Sequence, residues 1–205
     1  MKKFVVMLTA MSLALFSFAQ NKSQQTEAGI VFSSLNNFGL TVKTGTDKGL
    51  WRFTALSLSG FKNSSNSDSV DIKNVSTGFQ VKVGREWRTK ITGTFEFRYG
   101  LDLSFSYSHS KNVRDDKSVR QVYDGSTVKS DNYTPGVNFV LGFNYVFEKV
   151  IVLGFEAMPY FNYTIGSNTA EYPKTKISNF SYGISSSSLL LSISYRFGNK
   201  KRATT

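Results

Sequence analysis

The single histidine, His109, stands between Ser108 and Ser110, and an imidazole beside a hydroxyl is the pairing from which nucleophilic hydrolysis is built. Strand parity argues against a dyad within this segment. On an extended chain only residues two apart share a face, and the residues two from His109 are Tyr107 and Lys111. A nucleophile for His109 would have to come from another strand. His109 reads better as a companion of Tyr107 in an interfacial girdle at lipid head groups. The acidic set Asp115, Asp116, Asp124 and Asp131 has the oxygen chemistry of a calcium site. It shares its stretch with Lys111, Arg114, Lys117, Arg120 and Lys129, and it lacks EF-hand spacing, so a solvated mixed-charge loop is expected. The chain has no cysteine, which excludes disulfides and thiolate metal sites. No phosphate-cradling glycine loop or redox motif is present. No catalytic, cofactor or metal site is expected.

The elements that carry these residues are defined by alternation. From Thr94 to Ser110 the odd positions Phe95, Phe97, Tyr99, Leu101, Leu103, Phe105 and Tyr107 oppose Glu96, Arg98, Gly100, Asp102 and serines. The same pattern recurs in Val137–Phe147, in Ile151–Ile165 and in Leu189–Phe197, where Leu189, Leu191, Ile193, Tyr195 and Phe197 oppose Ser188, Ser192, Ser194 and Arg196. Strands in soluble sandwiches are shorter, about five or six residues. Long alternating strands, with aromatics toward their ends and a polar opposite face, are the signature of a transmembrane β-barrel. About 9 to 11 tilted residues cross a bilayer.

The N-terminus points to the same compartment. Lys2 and Lys3 precede an apolar run from Phe4 to Phe18, with Ser17 and Ala19 at the positions read by signal peptidase. The run falls short of the roughly 20 residues of a spanning helix, and a cleavable secretory signal over 1–19 is expected. The net charge of +11 is gathered in part at the termini, at Lys2 and Lys3 and at Lys200, Lys201 and Arg202. No reader motif accompanies it, so nucleic acid is not an expected partner.

Strands are expected near 27–35, 38–45, 50–62, 76–89, 94–110, 133–147, 150–165 and 178–197, making an all-β, eight-stranded antiparallel up-and-down barrel over 20–197 and leaving a short basic periplasmic tail over 198–205. Short connections at Thr46–Gly49, Lys90–Gly93 and Glu148-Lys149 alternate with longer ones at Asn63–Val75, Lys111–Asn132 and Gly166–Lys176. Short turns belong to the periplasmic end and long loops to the outside. Pattern breaks near Ala55-Leu56 and Ile184-Ser185 suggest bulges that shift parity. The first hairpin departs from this rule of turn and loop length. Its turn, Leu35-Asn36-Asn37, is short where loops should be long, and one continuous first strand would leave seven.

With the polar faces turned inward, the lumen receives Lys43, Arg52, Lys82, Glu86, Glu96, Arg98, Asp102, Glu156 and Arg196. An eight-stranded barrel is just wide enough for side chains to fill, and unpaired buried charge is costly. A salt-bridge network that closes the lumen to all but water or small ions is therefore expected. With the hairpin between the fourth and fifth strands centred on Thr92, Glu86 would face Arg98 and Lys82 would face Asp102.

The signal ending SFAQ, the segments LNNFGL and GLWRF, and the closing LLLSISYRF resemble the small outer-membrane barrels of Bacteroidota, similar in architecture to the OmpA membrane domain and to OmpX. The resemblance implies a Gram-negative outer-membrane location, contact with outer-membrane lipid and lipopolysaccharide, and Tyr195 and Phe197 as the signal read by the barrel-assembly machinery. The chain departs from the pattern by continuing GNKKRATT after Phe197. Asp68-Ser69-Val70 resembles the O-glycosylation site of Bacteroidota. Lipid A deacylases and palmitoyl transferases are small barrels with His and Ser near the outer rim, but their His-x-Ser is absent here. The expected role is structural or interactive, through the extracellular loops. A narrow channel, a lipid A-modifying enzyme and an accessory subunit bound to another outer-membrane protein are the alternatives.

Overall fold

The computed structural model describes residues 25–34, 37–66, 70–116, 126–169, 174–185 and 188–197. The expected signal 1–19, the tail 198–205, the turn residues Leu35 and Asn36, and Asp68-Ser69 lie outside the described residues. Ten strand segments follow in order: β1 (Gln25–Ser34), β2 (Asn37–Gly45), β3 (Gly49–Asn66), β4 (Val70–Lys90), β5 (Phe95–Asp116), β6 (Ser126–Phe147), β7 (Ile151–Ala157), β8 (Tyr160–Thr169), β9 (Lys174–Gly183) and β10 (Leu189–Phe197).

They form eight strands. β7 and β8 are two pieces of one, interrupted at Met158-Pro159, where Pro159 still accepts a hydrogen bond from Phe139 N at 2.8 Å. β9 and β10 are two pieces of another, the first ending at Gly183 and the second starting at Leu189. Consecutive segments pair antiparallel from β1 to β7, β7 pairs β10, and β10 pairs β1. The ring is closed. The first hairpin does consist of two strands, in register from Gln25↔Gly45 to Phe32↔Phe38.

Closure leaves one end trim and the other tall. The turns at the trim end are short and specific. Thr46 and Gly49 exchange backbone hydrogen bonds of 2.9 and 3.2 Å, the Thr92 hydroxyl accepts from Phe95 N at 3.1 Å, and Glu148 and Lys149 adopt φ of 46° and 64°, the left-handed geometry of tight hairpins. At the other end the described parts of the expected loops are strand. β5 runs 22 residues, roughly 70 Å of chain, and it stays paired with β4 up to Asp116 and with β6 up to Arg114. β8 and β9 extend the same face. The pairings over 63–66, 70–75, 111–116, 126–132, 166–169 and 174–176 extend a ladder already formed below, so polar composition in these stretches marks a solvated sheet.

Each long strand puts its apolar residues on the outside. Leu40 is 65 % exposed, Leu103 59 % and Leu191 59 %, while Arg52, Glu86, Arg98, Asp102 and Asn144 are fully buried. This inverts a soluble fold, and such a wall is stable only against hydrocarbon. Parity holds across Pro159, with Phe155, Phe161 and Tyr163 all outward, but flips across 184–188, where outward Tyr182 and Ile184 give way to Leu189 and Leu191. A further shift between Leu56 and Ser59 marks a bulge in β3.

Candidate functional site

Inward residues of seven strands meet in a continuous ion-paired cluster at the trim end of the lumen. Glu27 of β1 receives both terminal nitrogens of Arg88 (β4) at 2.7 Å and Arg196 Nε (β10) at 2.6 Å. Arg196 also forks onto Glu96 of β5, at 3.0 and 2.8 Å. Arg88 Nε turns to Glu86 Oε1 at 2.7 Å and so joins this ring to the next layer.

In that layer Arg52 of β3 is the hub. It grips Glu156 of β7 through two bonds of 2.9 Å, donates to Glu86 at 3.2 Å, and lies 3.2 Å from Asp102. Lys43 of β2 donates to Glu86 at 2.8 Å, and Arg98 of β5 lies 3.2 Å from Glu156 and 3.6 Å from Glu86. Bidentate arginine–carboxylate pairs of this kind are the strong, geometrically selective form of the contact. Small residues make room. A Cβ on Gly84 would strike the Asp102 carboxylate, and one on Gly154 would strike the Arg98 guanidinium.

Eight of the nine expected lumen charges, Lys43, Arg52, Glu86, Glu96, Arg98, Asp102, Glu156 and Arg196, are brought together here. Lys82 is buried beyond them, makes no ion pair with the described residues, and contacts Met158 Sδ at 3.5 Å. The expected register across β4 and β5 is corrected. Glu86 faces Gly100, Arg98 faces Arg88, Lys82 faces Ser104 and Asp102 faces Gly84. The turn is centred on Gly93 and not Thr92, because the Thr92 hydroxyl caps the amides of Thr94 and Phe95 while Ile91 N bonds Phe95 O. That moves every partner by two residues. Glu27 and Arg88 were missed by the sequence reading, although both obey the alternation: Arg88 shares parity with Lys82 and Glu86, and Glu27 opposes Ala28 and Ile30.

Tyr195 and Phe197 lie on the outer wall with ring centroids 4.9 Å apart. They belong to a lower aromatic band with Trp87, stacked on Tyr99 at 5.8 Å, and Trp51, over which Arg85 is placed at 5.3 Å. An upper band holds Phe79, Tyr107 and Tyr133, with successive centroids at 5.9 and 5.1 Å. His109 is one position further up. Its Nδ1 is 2.8 Å from Asp131 Oδ1, which also accepts from the Tyr107 hydroxyl at 2.9 Å. The position across from His109 on β4 is Thr77; Ser108 and Ser110 point the other way. Asp124 lies outside the described residues, and among those described no three acidic or histidine side chains gather as a metal site.

No protein-family model matches the chain, and no curated protein matches it. Among solved structures it is similar to a major outer membrane protein from Thermus thermophilus, with a TM-score of 0.48 and 9 % identity over 85 % of this chain and 99 % of that one. It is also similar to Ail, the attachment invasion locus protein of Yersinia pestis, with a TM-score of 0.36 and 10 % identity over 85 % and 97 %. The N-terminal β-barrel domain of Pseudomonas aeruginosa OprF gives a TM-score of 0.33 and 9 % identity over 86 % and 98 %.

Proposed function

We propose that the protein is an integral outer-membrane barrel whose lumen is plugged by its own ion pairs and whose role is structural or interactive, carried by the tall end projecting from the cell. The observation that carries this reading is the inversion itself: aliphatic and aromatic side chains outside, and paired charges inside. Ten residues of β5 separate Phe97, which stacks on Tyr99 of the lower band at 6.0 Å, from Tyr107 of the upper one, and at a tilt near 45° this matches an apolar belt of roughly 25 Å. The polar sheet continues beyond it. The tall end is placed outside because long connections of such barrels face outward.

A closed lumen is the natural consequence of eight strands filled by guanidinium and carboxylate groups. In this reading the protein transports no nutrient and performs no chemistry. Its wall would meet lipid and lipopolysaccharide, Tyr195 and Phe197 would serve the assembly machinery, and the projecting sheet would meet partners such as another outer-membrane protein. The test is refolding in detergent, with gel mobility compared before and after boiling, followed by planar-bilayer recording. A heat-shifted band with no steady conductance is expected. A protein that stays monodisperse without detergent would sink the barrel reading, and a stable ohmic current would replace the plug with a channel.

A further inference from the structure

Beyond the ion-paired cluster the lumen opens into a cup of about 220 Å³, smaller than the roughly 300 Å³ at which drug-sized pockets begin. It lies where two neighbouring strands break at one level. Met158 and Tyr160 flank the β7–β8 interruption, and Ser185 and Ser188 flank that between β9 and β10; all four line the cup. Lys82 and Gln80 of β4 line it as well.

Two buried polar side chains at this cup lack a matching group. Lys82 is 7 % exposed, and its ammonium has only the Met158 thioether within hydrogen-bond reach among the described residues. Asn138 is 5 % exposed, and its Nδ2 donates to nothing there. Among the described residues the interior holds six cations, Lys43, Arg52, Lys82, Arg88, Arg98 and Arg196, against five carboxylates, Glu27, Glu86, Glu96, Asp102 and Glu156. Every one of these cations but Lys82 has a carboxylate within 4.0 Å. A buried ammonium without a carboxylate in direct contact is costly, and an anionic ligand would reduce that cost. Apart from Leu56 and Met158, the rest of the lining is hydrogen-bonding and uncharged. Asn37 presents an Oδ1 without a partner, and Gln80, Asn162 and Tyr160 add amides and a phenol. Such a set matches hydroxyl groups and not an aromatic ring.

We propose that the cup binds a small polyhydroxylated carboxylate, in its simplest form a uronic acid, with the carboxylate between Lys82 Nζ and Asn138 Nδ2 and the hydroxyls among the amides. A free sugar acid and the end of an acidic polysaccharide present the same group. This rests on the barrel reading above, so heat-modifiable mobility is checked first; a protein that fails there fails as a barrel, independently of any ligand.

The experiment uses the methyl resonance of methionine. Met158 lines the cup, and the other methionines are Met1, Met7 and Met11, so a 13C-methyl signal assigned by Met158→Leu reports on the site alone. Titration of the folded protein in detergent with D-glucuronate should shift this signal saturably, while D-glucose and inorganic phosphate leave it in place. Lys82→Gln should weaken glucuronate binding by roughly tenfold or more, the loss expected for one charge-assisted hydrogen bond, and Asn138→Leu should weaken it independently. A glucuronate oligosaccharide that binds as well as the monomer assigns a polysaccharide end, and one that does not assigns the free acid. The proposal is overturned by a heat-modifiable protein whose signal does not respond to glucuronate, by phosphate binding equally well, or by Lys82→Gln binding unchanged.

Discussion

The two ends of this lumen solve the same problem in opposite ways. At the trim end all eight strands are in the ring, and the interior is crossed by guanidinium–carboxylate forks linking strands far apart in the chain, such as Arg52 with Glu156 and Glu27 with Arg196. At the tall end β1 and β2 have stopped. Among the described residues β9 pairs with β8 alone, and the interior is lined by amides and hydroxyls around Lys82. The difference teaches where rigidity is needed. Charges taken out of water are costly unless paired, and at the closed end each has an opposite charge within 4.0 Å, whereas at the open end Lys82 has none among the described residues.

Breaking the hub tests this most severely. Arg52→Ala leaves Asp102 without its cation and Glu156 with Arg98 alone, and removing one partner of a buried network costs about 3–5 kcal/mol. Urea unfolding in lipid vesicles should show that loss, and bilayer recordings should show current where the parent shows none. The double variant Arg52→Met with Glu156→Met should recover part of the stability, because it removes the pair and not half of it. A cost below about 1 kcal/mol would mean the charges stand in wet lumen as solvated groups.

Glu27→Gln sharpens the comparison at the seam where the chain's ends meet. Glu27 ties β1 to β10 through Arg196 and to β4 through Arg88, and the amide keeps the shape while losing the charge. A loss of about 1–3 kcal/mol is expected, with slower refolding into the heat-resistant band. An unchanged urea midpoint would show that the β1–β10 ladder alone closes the ring.

The alternation made the wall legible in advance because a one-residue slip would turn every apolar side chain into the lumen. That constraint located the strands, the parity shifts near Leu56 and Ile184, and eight of the charges in the cluster. It could not supply partners. Pairing across β4 and β5 hangs on one hydroxyl cap at Thr92, and a turn centre displaced by one residue displaces each pair by two. Nor does a polar strand look different from a polar loop in sequence, since Lys111–Asp116 and Ser126–Asn132 owe their extended form to neighbours below them in the same ladder. The cup was hidden for a related reason: it depends on two interruptions lying side by side, and only the register of β8 with β6 and β9 puts them there.

The smallest effect is expected on the outer face of the tall end, where His109, Asp131 and Tyr107 share hydrogen bonds in the open. His109 and Asp131 are 34 % and 38 % exposed, and a pair that wet contributes little because water competes for both partners. His109→Ala should change the urea midpoint by no more than about 0.5 kcal/mol of stability, in contrast to Arg52→Ala. The same variant separates two readings of the rim. An imidazole held by a carboxylate through Nδ1 leaves Nε2 available to a nucleophile, and Thr77 occupies the facing position on β4 without a hydrogen bond to it among the described contacts. If the trio is an interfacial anchor, lipid A from cells expressing the variant will have the same acylation by mass spectrometry as lipid A from cells expressing the parent. A changed acyl pattern with an unchanged midpoint would move the function from the surface of the sheet to the chemistry of its rim.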